Sequence, residues 1–186
     1  TIAREAVLIE VSTGKVLFEK NADRPMPPAS MSKMMTIYML FERLRDGRLS
    51  LEDTFKVSKN AWRKGGASSG SSTMFLLPGK RVKVEDIIRG IIIQSGNDAC
   101  IVIAEALSGS EEAFAVEMTA RGKELGMTNS SFKNATGGPH PDHLTTARDL
   151  AVLSQKLIKD FPEYYRYFSE KSFTYNGIKQ SNRNPL

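Results

Sequence analysis

A chain of 186 residues, 40% apolar and 25% charged, has the balance of an ordinary globular unit with one sizeable core. The formal net charge of +5 is spread along the chain, which excludes the Lys/Arg stripe interleaved with stacking aromatics that a nucleic-acid surface needs. No apolar run approaches the roughly 20 residues of a bilayer crossing: Met34 to Phe41 is short, and Ile91-Ile92-Ile93 is bounded by Arg89 and Asp98.

Thr1-Ile2-Ala3-Arg4 leads almost at once into a strand pattern, without a basic segment followed by an apolar stretch, so the expectation is either a cytoplasmic chain or one whose leader has been removed. Ala6 to Val11 and Val16 to Glu19 flank the Gly-containing turn Ser12-Thr13-Gly14-Lys15 and predict a hairpin. Pro27-Pro28 cannot continue a strand and forms a rigid lead-in. From Ser30 to about Arg45 the apolar residues Met31, Met34, Met35, Ile37, Tyr38, Leu40 and Phe41 cover most of a helix circumference, which places that helix inside the domain.

Trp62 to Ser72 is rich in Gly and Ser and reads as a mobile rim. Further helices are predicted at Val84–Gln94, Asn97–Leu107, Glu111–Leu125 and Thr146–Lys159, with an irregular segment from Thr136 to Asp142. Ser172 to Tyr175 and Ile178 to Gln180, joined by Asn176-Gly177, carry the signature of a type I′ hairpin. Strands at both ends with helices between them predict an α+β fold. Residues 1–24 and 171–186 supply an incomplete antiparallel sheet into which the mainly helical segment 25–170 is inserted.

Ser30-Met31-Ser32-Lys33 has the S-x-x-K form, whose spacing puts a hydroxyl and an amine on one helix face. A serine hydroxyl attacks well only when a neighbouring base takes its proton, and lysine is such a base only when desolvation or nearby positive charge favours the neutral amine. Taken alone, the tetrapeptide reads rather as a helix N-cap at Ser30 with a solvent-facing Lys33. Its place after Pro27-Pro28, at the mouth of a buried helix, favours a desolvated lysine and hence Ser30 as nucleophile and Lys33 as general base. Ser95-Gly96-Asn97 lies between two apolar helical segments, where a tight glycine turn can present a hydroxyl and a carboxamide to a cleft.

The stretches from Pro28 to Thr36, Ser71 to Leu76, Ile88 to Gly90, Gln94 to Cys100 and Phe173 to Ile178 together resemble the low-molecular-mass penicillin-binding proteins, serine-type D-alanyl-D-alanine carboxypeptidases, over nearly the whole chain. That resemblance implies a DD-peptidase/β-lactamase-like fold, Ser30 acylated, Lys33 as base, Ser95 relaying a proton to the leaving group and Asn97 hydrogen-bonding the substrate. It implies no metal and no cofactor. The implied partners are a peptidoglycan stem peptide and β-lactam inhibitors, met on the outer side of the cytoplasmic membrane, with any membrane attachment left to other segments.

The family's third motif, Lys-Thr-Gly or Lys-Ser-Gly, is not in this sequence, so the expectation is a truncated chain, a proteolysed product or one piece of a longer polypeptide, which acylates slowly or not at all by itself. Relatives carry a His-Gly-Leu-like sequence where Thr136-Gly137-Gly138 stands. The competing enzyme is a serine β-lactamase of the same superfamily, but Gly96 occupies the position of the Asp that class A enzymes carry. A non-catalytic binding module of the same fold is the remaining alternative.

Other candidates are weaker. His140-Pro141-Asp142-His143 is read as surface loop, not a metal site. Gly14-Lys15 and Gly79-Lys80 lack the upstream glycine of a phosphate loop, and Cys100, the lone cysteine, is read as a buried hydrophobe.

Overall fold

The computed structural model describes residues 1–184 of the chain. It opens with the expected hairpin, β1 (Ala6–Ile9) against β2 (Val16–Lys20), whose register shifts by a bulge between Leu8 and Ile9. A 3-10 turn, Ala29–Ser32, runs directly into α1 (Lys33–Arg45). The strand β3 (Thr54–Lys56) and helix α2 (Lys59–Gly65) follow. Then come β4 (Arg81–Lys83), which pairs with β3, and the helices α3 (Val84–Ile92), α4 (Asn97–Ser108), α5 (Glu111–Glu124), α6 (Ala147–Asp160) and α7 (Pro162–Tyr165). The hairpin β5 (Ser172–Tyr175) and β6 (Ile178–Ser181) turns through Asn176 and Gly177, both at positive φ (48° and 76°), as a type I′ turn requires.

Helix α1 is the axis of the molecule, packed by α3, α4, α5 and α6. Of the seven apolar residues expected to cover it, Met35, Ile37, Tyr38, Leu40 and Phe41 are buried because neighbours surround the helix, whereas Met34 is half-buried and Met31, in the turn before α1, is exposed. Tyr38 stands edge-on to Phe161 at 5.0 Å and its hydroxyl donates to Asp160 at 2.7 Å, which ties the middle of α1 to the end of α6. Side-chain caps fix where three helices begin: Ser58, Ser110 and Thr146 accept from the backbone N–H of Ala61, Ala113 and Asp149.

Two expectations change. Two glycines of the supposed mobile rim are structural: Gly65 ends α2, where a Cβ would overlap the backbone of Asn97 and Asp98 in α4, and a Cβ on Gly66 would overlap Trp62 O, so both are buried while residues 62–64 and 67–70 are exposed. The terminal hairpins are antiparallel but share no ladder among the described residues, so each stands as its own two-stranded sheet and no continuous sheet joins the two ends. The part of the last segment beyond residue 184 lies outside the described residues.

Candidate active site

Ser30 sits in the 3-10 turn, one step before the α-helix that the sequence pattern predicts for it. The tighter turn suits the motif, because three residues per turn bring positions 30 and 33 nearly into line. Ala29 precedes it at φ 48°, in the left-handed region that an alanine occupies at a cost of about 1 kcal/mol. Lys33 Nζ donates to Ser30 Oγ at 3.0 Å and to the carbonyl oxygen of Thr136 at 2.8 Å. Ser30 is exposed while Lys33 is only 5% exposed, so the nucleophile candidate faces solvent and its partner lies beneath it.

Burial holds the Lys33 amine below the ordinary lysine range, and the Arg183 guanidinium pushes in the same direction. A thiolate at Cys100 would oppose this, but burial pushes that thiol up to about 12, so it is uncharged near neutral pH and offers no countercharge. Both partners of the Lys33 ammonium are neutral oxygens, and neither pins it in the charged form.

Ser95 approaches from the other side. It lies between α3 and α4 at φ 55°, whereas Gly96 has an ordinary φ of −62°. The glycine is therefore needed for space rather than for its backbone freedom, since a Cβ there would press on Asp98 Oδ1, Gly90 O and Met74 N. A cavity of about 120 Å³ opens where Ser30, Lys33 and Ser95 meet, walled by Ile37, Ile91 and Phe168. The Ser95 hydroxyl is buried without a hydrogen-bond partner, a state that a bound polar group would relieve. Asn97 begins α4 and does not wall this cavity; its backbone N–H donates to Ser72 O at 2.8 Å, and its Oδ1 is also buried and unpartnered.

Several residues that sequence reasoning left without a role build this geometry. Asp98, fully buried, accepts from Thr73 Oγ1 (2.7 Å), Met74 N (3.0 Å) and Leu76 N (3.0 Å), so the segment 72–76 is anchored to the start of α4. Asn134 Oδ1 gathers the N–H groups of Thr136, Gly137 and Gly138, folding the loop so that the Thr136 carbonyl meets Lys33. The Asn-x-x-Gly-Gly pattern is the one sequence signal for that loop.

His143 overturns an expectation. His140, Pro141 and Asp142 are exposed as read, but His143 is 1% exposed and its Nε2 lies 2.8 Å from Ser32 Oγ, behind the nucleophile turn. An irregular Pro-rich stretch gives no periodicity from which an inward-facing ring can be read. Among the described residues no group of three or more His, Cys, Asp or Glu is placed to hold a metal ion, and no helix is long and apolar enough to cross a membrane.

The family model for D-alanyl-D-alanine carboxypeptidase, peptidase S11, matches residues 1–186. The chain is 46% identical over 185 residues to the D-alanyl-D-alanine carboxypeptidase DacC of Escherichia coli, covering 99% of this chain and 46% of that protein. Its fold superposes on penicillin binding protein 6B of Escherichia coli with a TM-score of 0.92 at 38% identity, over 100% of this chain and 60% of that one. Penicillin-binding protein D2 of Listeria monocytogenes, solved in its ampicillin-bound form, matches with a TM-score of 0.79 at 29% identity, over 99% of this chain and 73% of that one. The chain spans about half the length of the curated relatives it matches. With its α+β, penicillin-binding-protein fold and a match along its entire length, the chain belongs to the D-alanyl-D-alanine carboxypeptidase family.

Proposed function

We propose that this protein is a serine-type D-Ala-D-Ala carboxypeptidase that removes the terminal D-alanine of a peptidoglycan stem pentapeptide outside the cytoplasmic membrane, and that β-lactams inhibit it at the same serine. The 3.0 Å contact between Ser30 Oγ and the buried Lys33 Nζ carries this proposal. Neutral Lys33 takes the Ser30 proton as Oγ attacks the carbonyl of the penultimate residue. The C–N bond then breaks, and the departing D-alanine amine receives a proton from Lys33 with Ser95 as relay, leaving an acyl-serine ester. Water, deprotonated by the same base, hydrolyses the ester and regenerates Ser30. Asn97, at the start of α4, is assigned to hydrogen-bonding the substrate amide.

The test is mass spectrometry after penicillin treatment of a polypeptide carried to the full length of its relatives, together with an assay of D-alanine release from a pentapeptide. A single covalent adduct at Ser30 and D-alanine release are expected. Rapid cephalosporin turnover without D-alanine release would instead indicate the β-lactamase alternative. Persistent absence of an adduct would indicate a binding module.

A further inference from the structure

Four residues of the nucleophile segment are held from one side by a single loop. Gly137 packs on the Ala29 carbonyl, His143 bonds Ser32, Thr136 O accepts from Lys33, and Thr36 Oγ1 donates to Ala135 O at 2.8 Å. Among these contacts, His143 to Ser32 joins two buried side chains, with Ser32 at 0% exposure.

The ring's tautomer follows from its other edge. The backbone N–H of Lys133 points at Nδ1 at 3.4 Å, so Nδ1 is the acceptor, Nε2 carries the hydrogen, and Nε2–H donates to Ser32 Oγ. The ring itself is fixed: its edge meets Phe132 at 5.6 Å and 82°, the His143 backbone N–H donates to His140 O, and the next residue, Leu144, pairs with Ser131 in an isolated bridge. Ser32 has no water to turn to if this donor is withdrawn. It lies between Ser30 and Lys33 in the chain, so any rotation of the turn that relieves Ser32 also moves Ser30 Oγ relative to Lys33 Nζ.

We propose that His143 is a positioning residue for acylation: through its hydrogen bond to Ser32 it holds the Ala29–Ser32 turn at the height where Ser30 Oγ meets Lys33 Nζ. The proposal rests on Ser30 being the acylated residue. His143 touches neither the substrate cavity nor a reacting atom and acts only through Ser32.

The experiment uses the polypeptide at the full length of its relatives and stopped-flow acylation by a fluorescent penicillin, which separates the binding constant from the acylation rate constant. His143→Leu fills similar volume with neither donor nor acceptor. It is expected to lower the rate constant roughly 10- to 100-fold, the scale set by sub-ångström misplacement of a nucleophile, with the binding constant unchanged to within about twofold. His143→Gln offers an amide N–H and a carbonyl on opposite edges and is expected to restore the rate to within about threefold of wild type. Ser32→Ala combined with His143→Leu should be no slower than His143→Leu alone, because both remove one bond.

Wild-type acylation by His143→Leu, a loss confined to the binding constant, or losses that multiply in the double variant would each overturn the proposal. Should His143→Leu not fold, Ser32→Ala alone carries the same expectation of a slowed rate constant, and an unslowed Ser32→Ala overturns it. A wild-type protein that never labels at Ser30 faults the assigned function, whereas normal labelling in every variant faults only the role of His143.

Discussion

Gly137 lies so close to the carbonyl group of Ala29, the residue before Ser30, that a methyl group on Gly137 would overlap its oxygen. Its φ of 82° is a second obstacle for any L side chain. Gly137→Ala is expected to cost about 2–4 kcal/mol, combining left-handed strain with overpacking against backbone that cannot yield. Urea unfolding measures this loss. The same variant should lose acylation, since the carbonyl that Lys33 uses lies one residue away, and a stable, fully active Gly137→Ala would contradict the packing.

Acylation should rise with pH and level off once Lys33 is deprotonated, at a pH below the ordinary lysine value of 10.5. Arg183 favours the neutral amine, so Arg183→Gln is expected to move the rising limb to higher pH, slowing acylation at neutral pH while leaving the plateau unchanged. Lys33→Arg, whose guanidinium stays protonated, should abolish the limb and cut acylation at least ~100-fold. The pH dependence of penicillin labelling reads both, and a limb that does not move in Arg183→Gln would remove that residue's influence.

Asp98 is surrounded by donors: Thr73 Oγ1, Met74 N, Leu76 N and Ala99 N. Asp98→Asn puts an NH₂ group where only acceptors fit and is expected to destabilise the fold by about 2–4 kcal/mol. Hydrogen exchange should show amide protection lost first in residues 73–76. Equal protection in the two proteins would show that the carboxylate does not anchor the segment.

Burial, with His140 and Lys133 as cationic neighbours, lowers the His143 imidazole from 6.5 to about 4, while Ser32 and Phe132 on its other sides carry no charge. Between those two values the unfolded chain binds a proton that the folded chain does not, so stability rises with pH through this window and is lost as pH falls. The contribution is about 3 kcal/mol. Comparing urea midpoints of wild type and His143→Gln from pH 4 to 6.5 isolates it, and parallel curves would rule it out.

Elements with a strong period or a specific turn residue were legible in the sequence. The apolar circumference of α1, the Asn176-Gly177 turn and the helix starting beside Thr146 all stand where expected, because local patterning and local chemistry determine them. Ser30, Lys33 and Ser95 were readable from motif spacing, and the structure gathers them at one cavity. Asn97 was expected beside them, yet it stands outside that cavity's walls. The short helix α2 and the hairpin of β3 and β4 escaped notice. Three-residue strands show no alternation, and seven residues give too few turns to display a stripe. Gly65, Gly137 and His143 were misread or left open for another reason: their roles depend on partners 33, 108 and 111 positions away, which no local pattern records.

Lys33 is received by a main-chain oxygen, and every amino acid carries that oxygen in the same place. A change of side chain at position 136 therefore keeps the acceptor atom itself, but the Thr136 hydroxyl, which donates to Asn134 Oδ1 at 3.1 Å and accepts from the Gly138 N–H at 3.2 Å, joins Asn134 and Gly137 in keeping the loop folded. A saturation library at residue 136 should yield functional members chiefly among small side chains that keep a hydroxyl, and one at residue 137 few. The motif that an alignment would highlight and the atom that catalysis would use need not coincide.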